Sequence, residues 1–157
     1  MNIRFNITRS QYLIRISVVV FAMITPFVLY LTQGYKPSIS EYWNTPMQPL
    51  FILSNAATSY YLFSNNKWKL SASLLLLLTA FSVESYLKVH NVLAICFFLS
   101  NLYPLYITKH YRFCFWLYLA SLTLMPLSII LGETVAVIFL SLQHGLILRK
   151  IYSLHKR

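Results

Sequence analysis

Acidic side chains are almost missing. The 157 residues hold three glutamates and no aspartate, against thirteen lysines and arginines. Glycine also occurs only three times, which excludes Gly-rich phosphate cradles, and no nucleotide loop, nucleophile elbow, HExxH or calcium loop appears. Cysteine occurs twice, as Cys96 and Cys114, without the CxxC spacing that a redox or zinc site would need. Charged residues make up 10% of the chain, where a soluble domain carries about a quarter. No stretch is polar enough to form a separate soluble domain.

What is present is apolar surface: 58% of residues are hydrophobic, spread over the whole length. We read one polytopic membrane domain over 1–157. The apolar segments run over 13–32, 47–64, 68–87, 90–108, 113–131 and 134–151. Each approaches the ~20 residues that cross a hydrocarbon core, the second and last being short. The expected fold is all-α, a polytopic bundle of six transmembrane helices. The continuous run from Phe113 to Leu148 is broken only at Gly132-Glu133, which we take as a tight turn. Arg4, Arg9 and Arg15 precede the apolar run Ile16 to Leu31 in the manner of a signal peptide, but no small-x-small cleavage site follows, and the segment reads as a retained first helix.

Six spans put eleven of the thirteen cations on one side: Arg4, Arg9, Arg15, Lys67, Lys69, Lys109, Arg112, Arg149, Lys150, Lys156 and Arg157. Only Lys36 and Lys88 remain opposite. By the positive-inside rule both termini are cytoplasmic, in what is expected to be a bacterial inner membrane. The lipid bilayer is the expected partner, and nucleic acid is not, because the cations sit in short clusters at the ends of apolar runs. Tyr35, Tyr42, Trp43 and Tyr86 belong to an outer aromatic belt. Tyr60, Tyr61, Trp68, Tyr106 and Tyr111 belong to an inner one. Cys96 and Cys114 fall at different depths, so a disulfide between them is excluded and packing roles are expected.

All three carboxylates, Glu41, Glu84 and Glu133, fall on the outer side, which the orientation rule does not require. Helical phase adds neighbours to them. His90 and Asn101 are eleven residues apart, within about 20° of one another on a helix. Glu133 and His144 show the same spacing, and Gln48 and Asn55 are aligned at seven. Polar groups are costly against lipid, so these faces should turn into the bundle. They define an outer layer of Gln48, His90 and Glu133, joined by Glu84 and Glu41, and a deeper layer of Asn55, Asn101 and His144. The outer layer has the chemistry of a ligand or cation site, and His with carboxylates also suits zinc. Structural roles compete at each position. Glu133 suits a helix N-terminus, Glu84 suits an ion pair with Lys88, His90 suits a cap, and Asn101 and His144 suit interhelical hydrogen bonds.

The Ser38-Ile39-Ser40-Glu41-Tyr42-Trp43 loop, the run His90 to Phe98 and Glu133 at the opening of the last helix resemble a bacterial six-span membrane family of unknown function, loosely similar to the DRAM and Frag-like group. The low glycine content and the Gln143-His144 pair depart from that pattern. The resemblance implies a fold and no activity. Three function classes stand. The favoured one is an outward-facing site for a small ligand or cation, receptor- or permease-like. The others are a partner-binding subunit (accessory, toxin-immunity or defence) with no site of its own, and a membrane-embedded metal-dependent hydrolase. No cofactor is expected.

Overall fold

The structure is a computed structural model that describes residues 8–155. Arg4, Lys156 and Arg157, three of the cations that set the orientation, lie outside the described residues. Within them the protein is all α, without strands.

Helix α1 (Arg9–Gln33) opens on a capping box, in which Thr8 Oγ1 accepts the Gln11 N–H and Gln11 Oε1 accepts the Thr8 N–H, both at 3.2 Å. It ends at Gly34, whose φ of 73° suits a residue without Cβ, and whose N–H donates to the Tyr30 carbonyl. A 3₁₀ turn over Ile39–Asn44 leads to α2 (Gln48–Phe63), with proline at the start where its missing N–H does no harm. Then come α3 (Lys69–Ala80), α4 (Val83–Ser100), α5 (Leu102–Ile107), α6 (Arg112–Leu124) and α7 (Ile129–His155). Pro104 in α5 cannot donate to Ser100, so α4 and α5 form one rod with a break between them.

The turns differ from the sequence expectation in two places. The third helix stops at Ala80, because Phe81 is extended and Ser82 caps α4 by accepting the Ser85 N–H. Glu84 therefore sits in the first turn of α4, not at the end of the preceding helix. The last turn falls at Met125–Ser128 around Pro126, and Gly132-Glu133 is already inside α7. Gly132 serves packing: a Cβ built there would lie 2.5 Å from Met125 Cγ and 2.9 Å from the Ser121 carbonyl oxygen. Glycine beside a charge was read as chain reversal, but here it permits close approach of α6 to α7.

Neighbours in sequence pack against one another, α1 on α2, α2 on α3, α3 on α4, α5 on α6 and α6 on α7, and α1 on α7 closes the ring. One end gathers the Gly34–Met47 loop, Phe81-Ser82 and Met125–Ser128; we call it the loop end. The other, the basic end, carries Arg9, Arg15, Lys67, Lys69, Lys109, Arg112, Arg149 and Lys150. All three glutamates lie toward the loop end. Among the described residues three stretches are long and apolar enough to cross a membrane: Arg9–Gln33, Val83–Ile107 and Ile129–Leu154. α2, α3 and α6, of 16, 12 and 13 residues, are shorter than the ~20 a full crossing takes.

The largest core cluster joins Trp68, Leu75, Leu78, Phe97, Phe98, Leu105, Tyr118 and Leu140 from five helices and the turn before α3. A second cluster, Leu29, Tyr42 and Phe51, seats the loop on the bundle. Large apolar side chains such as Leu31, Trp116 and Leu127 stay exposed on the outside. Cys96 is on that surface and Cys114 is buried, both as free thiols.

The aromatic belts hold only in part. Tyr35, Tyr60, Tyr86 and Tyr106 are exposed, but Tyr42 and Trp68 are buried. Tyr61 turns inward to His144, and the Tyr111 hydroxyl donates to the Leu146 carbonyl. Hydropathy marks depth along a helix, but it does not tell a ring facing lipid from one facing a neighbour.

Candidate functional site

The loop end is built around a strap. Residues 35–44 fold back over the bundle and are fastened at three points. The Tyr42 hydroxyl donates to the Gly34 carbonyl at 2.8 Å, the Ile130 N–H donates to the Pro37 carbonyl at 3.0 Å, and the Ile39 N–H donates to Glu133 Oε2 at 2.7 Å. Burial, with a contribution from Tyr30, pushes the Tyr42 pKa up, so its hydroxyl stays a donor at neutral pH. Glu133 is thus a buried anchor one turn into α7, and not the helix-end carboxylate the sequence pointed to.

Beside the strap a cleft of about 530 Å³ opens between α4, along most of its length, and the α6–α7 pair. It exists because α4 packs on α3 and on the strap, whereas α6 packs on α5 and α7. The two rods diverge above the α5 joint. Leu87, Ala94, Ile95, Phe98, Leu99, Leu122, Met125 and Ile129 make its walls apolar, and Ser38, Ser40, Glu41, His90, Asn91 and Glu133 add polar groups.

His90 is the key side chain of this cleft. It is 2% exposed, and its Nδ1 lies 2.6 Å from the Phe81 carbonyl oxygen. A carbonyl only accepts, so Nδ1 carries a hydrogen, and a ring neutral in that tautomer has its lone pair on Nε2. That Nε2 is buried and has no partner. A cap on its own helix was the competing structural role for His90, but its bond goes to the end of α3. Buried polar atoms are normally satisfied, so an orphan on a cleft wall marks a place for a ligand or water.

Of the outer layer, the structure brings Glu41, His90 and Glu133 to this cleft. Gln48 does not join them. It opens α2, and its N–H donates to the Thr45 carbonyl. Glu84 is exposed on α4 outside the cleft, and the non-helical Tyr86 (φ −138°, ψ 42°) interrupts the four-residue geometry toward Lys88. Among the described residues no three His, Cys, Asp or Glu side chains are grouped to hold a metal ion, which leaves the hydrolase reading without a ligand set.

The deeper layer is dispersed. Asn55 lines a central cavity of about 80 Å³ that also takes in Thr25, Ser54, Thr58, Ser141 and Glu133. Pro26 lines it too, and its missing N–H leaves the Ala22 carbonyl without a helical donor there. Asn101 is elsewhere, at the α4–α5 joint, donating to the Phe97 carbonyl and toward the Tyr118 hydroxyl. It is a packing element. His144 lies farther toward the basic end, with Nδ1 3.0 Å from the Tyr61 hydroxyl, its ring against Trp68, and Nε2 unpartnered.

Ser40, Tyr61 and Ser141 were missed as wall residues. Only Ser141 carried a usable signal, three residues before His144 on the same face of α7. Gln143 is fully buried with both amide atoms unpartnered, and nothing in the structure accounts for it. No protein-family model, curated protein or solved structure matches this chain.

Proposed function

We propose that the protein is a receptor- or permease-like membrane protein whose loop-end cleft binds a small amphiphilic ligand through a hydrogen-bond-donating or cationic head. The observation that carries this reading is His90: its tautomer is set by the Phe81 carbonyl, and its buried Nε2 is left unpartnered in a side chain that lines a large cleft. Glu41 and Glu133 add acceptor oxygens, and among the described residues no lysine or arginine lines the cleft. The apolar walls and the gap between α4 and α6–α7 suit an alkyl chain entering from lipid.

In this reading all six rods cross the bilayer, with the basic end cytoplasmic in accord with the charge distribution and the cleft opening outward. The short helices α2, α3 and α6 are accommodated by tilt, local thinning and their 3₁₀ extensions. The setting is a bacterial inner membrane. Reporter fusions after residue 155 that report an external C-terminus would overturn the orientation.

The ligand class is tested with a photoreactive dodecylamine probe on the purified protein. Cross-links are expected on the 87–99 face of α4 and on 122–133, displaced by excess dodecylamine and not by lauric acid. His90→Ala should reduce labelling by about tenfold, the scale of one hydrogen bond to a charged group. Labelling scattered over the lipid-facing surface, or equal competition by lauric acid, defeats the proposal.

A further inference from the structure

The cavities of this bundle do not end at the cleft. The cleft and the central cavity share Ser40, Phe98 and Glu133 as walls. The central cavity shares Thr58 and Ser141 with a narrow one of about 20 Å³. That one shares Tyr61 and His144 with a vestibule of about 80 Å³ at the basic end, where Arg15 and Asn65 line the opening.

A single stripe of α7 lines the whole succession. Glu133, Val137, Ser141, His144 and Leu148 succeed one another at steps of four, four, three and four, which keeps them on a single helix face. Free volume of about 10–15 Å³ admits one water, so the central cavity takes several and the narrow one takes one. The two ionisable groups are eleven residues apart, about 16 Å along the axis, too far for direct transfer. Ser54, Asn55, Thr58 and Ser141 stand between them. Hydroxyls both donate and accept, as a relay requires. His144 is 7% exposed with an unpartnered Nε2, so an ionisable group capable of taking a proton is held at the narrowest point.

We propose that this succession of cavities conducts protons between the cleft and the basic end, with Glu133 and His144 as the exchanging groups. This goes beyond ligand binding in the cleft, with which it shares Glu133, and extends to the opposite end of the molecule. A proton leaves the Glu133 carboxyl group and passes along water and the Ser141 and Thr58 hydroxyls to His144 Nε2, making an imidazolium. The ring releases its Nδ1 proton to Tyr61, whose own hydroxyl proton goes to water in the vestibule. One proton has then moved from one end to the other, Glu133 is refilled from the cleft, and a tautomer shift resets the imidazole.

The surroundings of both groups are defined. Glu133 faces Glu41 from the strap and His90 from α4 in the cleft, while α1, α2 and α3 present neutral side chains to it in the central cavity. His144 faces Tyr61 from α2, Trp68 before α3, and Arg15 from α1 across the vestibule. On the α6 side Tyr111 and Tyr118 donate to the Leu146 and Phe98 carbonyls, away from the path.

The test is proton uptake into liposomes containing the purified protein, driven by a valinomycin-clamped potassium gradient and read by an internal pH dye. Uptake is expected about tenfold above protein-free vesicles, with Glu133→Gln and His144→Leu each returning it to background. Should either variant fail to fold, Ser141→Val decides, since it replaces a relay hydroxyl with methyl groups. Uptake equal to protein-free vesicles, wild-type rates in His144→Leu or Ser141→Val, or equal conduction of sodium would each overturn the relay. Loss of the relay with dodecylamine labelling intact would leave the cleft reading standing.

Discussion

The two buried histidines show how one residue type serves two regions differently. His90 and His144 both engage Nδ1 and leave Nε2 unpartnered. His90 is held by a backbone carbonyl, which can only accept, and it borders a cleft of about 530 Å³. His144 is held by the Tyr61 hydroxyl, which can donate or accept, and it borders a cavity of about 20 Å³. The first arrangement presents a fixed acceptor in a space large enough for a ligand. The second leaves the tautomer free to exchange in a space that fits water. The partner of Nδ1 and the room around Nε2, not the imidazole, separate a binding group from a relay group.

The largest expected effect is at the position that holds the cleft wall. Gly132→Val should abolish folded protein in size-exclusion and thermal unfolding assays, because the Cβ alone would overlap Met125 and the Ser121 carbonyl. Overpacking that meets backbone exceeds the ~1–3 kcal/mol typical of added methylenes. A wild-type yield would show that α6 and α7 separate easily and that the cleft is not set by their contact.

Next is the anchor shared by both regions. Glu133→Leu strands the part-buried Ile39 N–H and should cost about 1–3 kcal/mol, with the strap becoming susceptible to protease near Ser38. Glu133→Gln keeps a carbonyl acceptor and should cost less than half of that. Equal stability of the two variants would mean that the strap does not depend on Glu133.

The histidines can then be separated directly. His90→Ala should reduce dodecylamine labelling about tenfold and cost about 1–2 kcal/mol, as the Phe81 carbonyl loses its donor. His144→Phe should leave labelling within about twofold and stop proton uptake. The reverse pattern would exchange the two assignments. Glu84→Gln, on an exposed turn outside the cleft, should change stability by less than about 0.5 kcal/mol and neither readout.

Some of this was legible from the chain and some was not. Glu133 and His90 were reached through helical phase, and the structure places both on the cleft. The same eleven-residue spacing misled at Asn101, because the joint before Pro104 ends the helix on which the phase was counted. Gly132 was taken for a turn because glycine is used both for reversal and for close contact, and composition does not distinguish the two. Tyr61 was placed in an interfacial belt, since nothing in its neighbours along the chain shows that His144, eighty-three residues later, would meet it.

Properties additive along the chain were decided by the sequence alone. Apolar content and period make helices, and clustered cations with scarce acids divide the molecule into a basic end and an end with all three glutamates. Burial of polar groups is not additive. It depends on which helices diverge, where a strap crosses them and which carbonyl meets a ring nitrogen. Only the tertiary structure decided that α4 parts from α6–α7, that Glu133 holds the strap, and that His90 and His144 keep buried, unpartnered nitrogens beside cavities of unequal size.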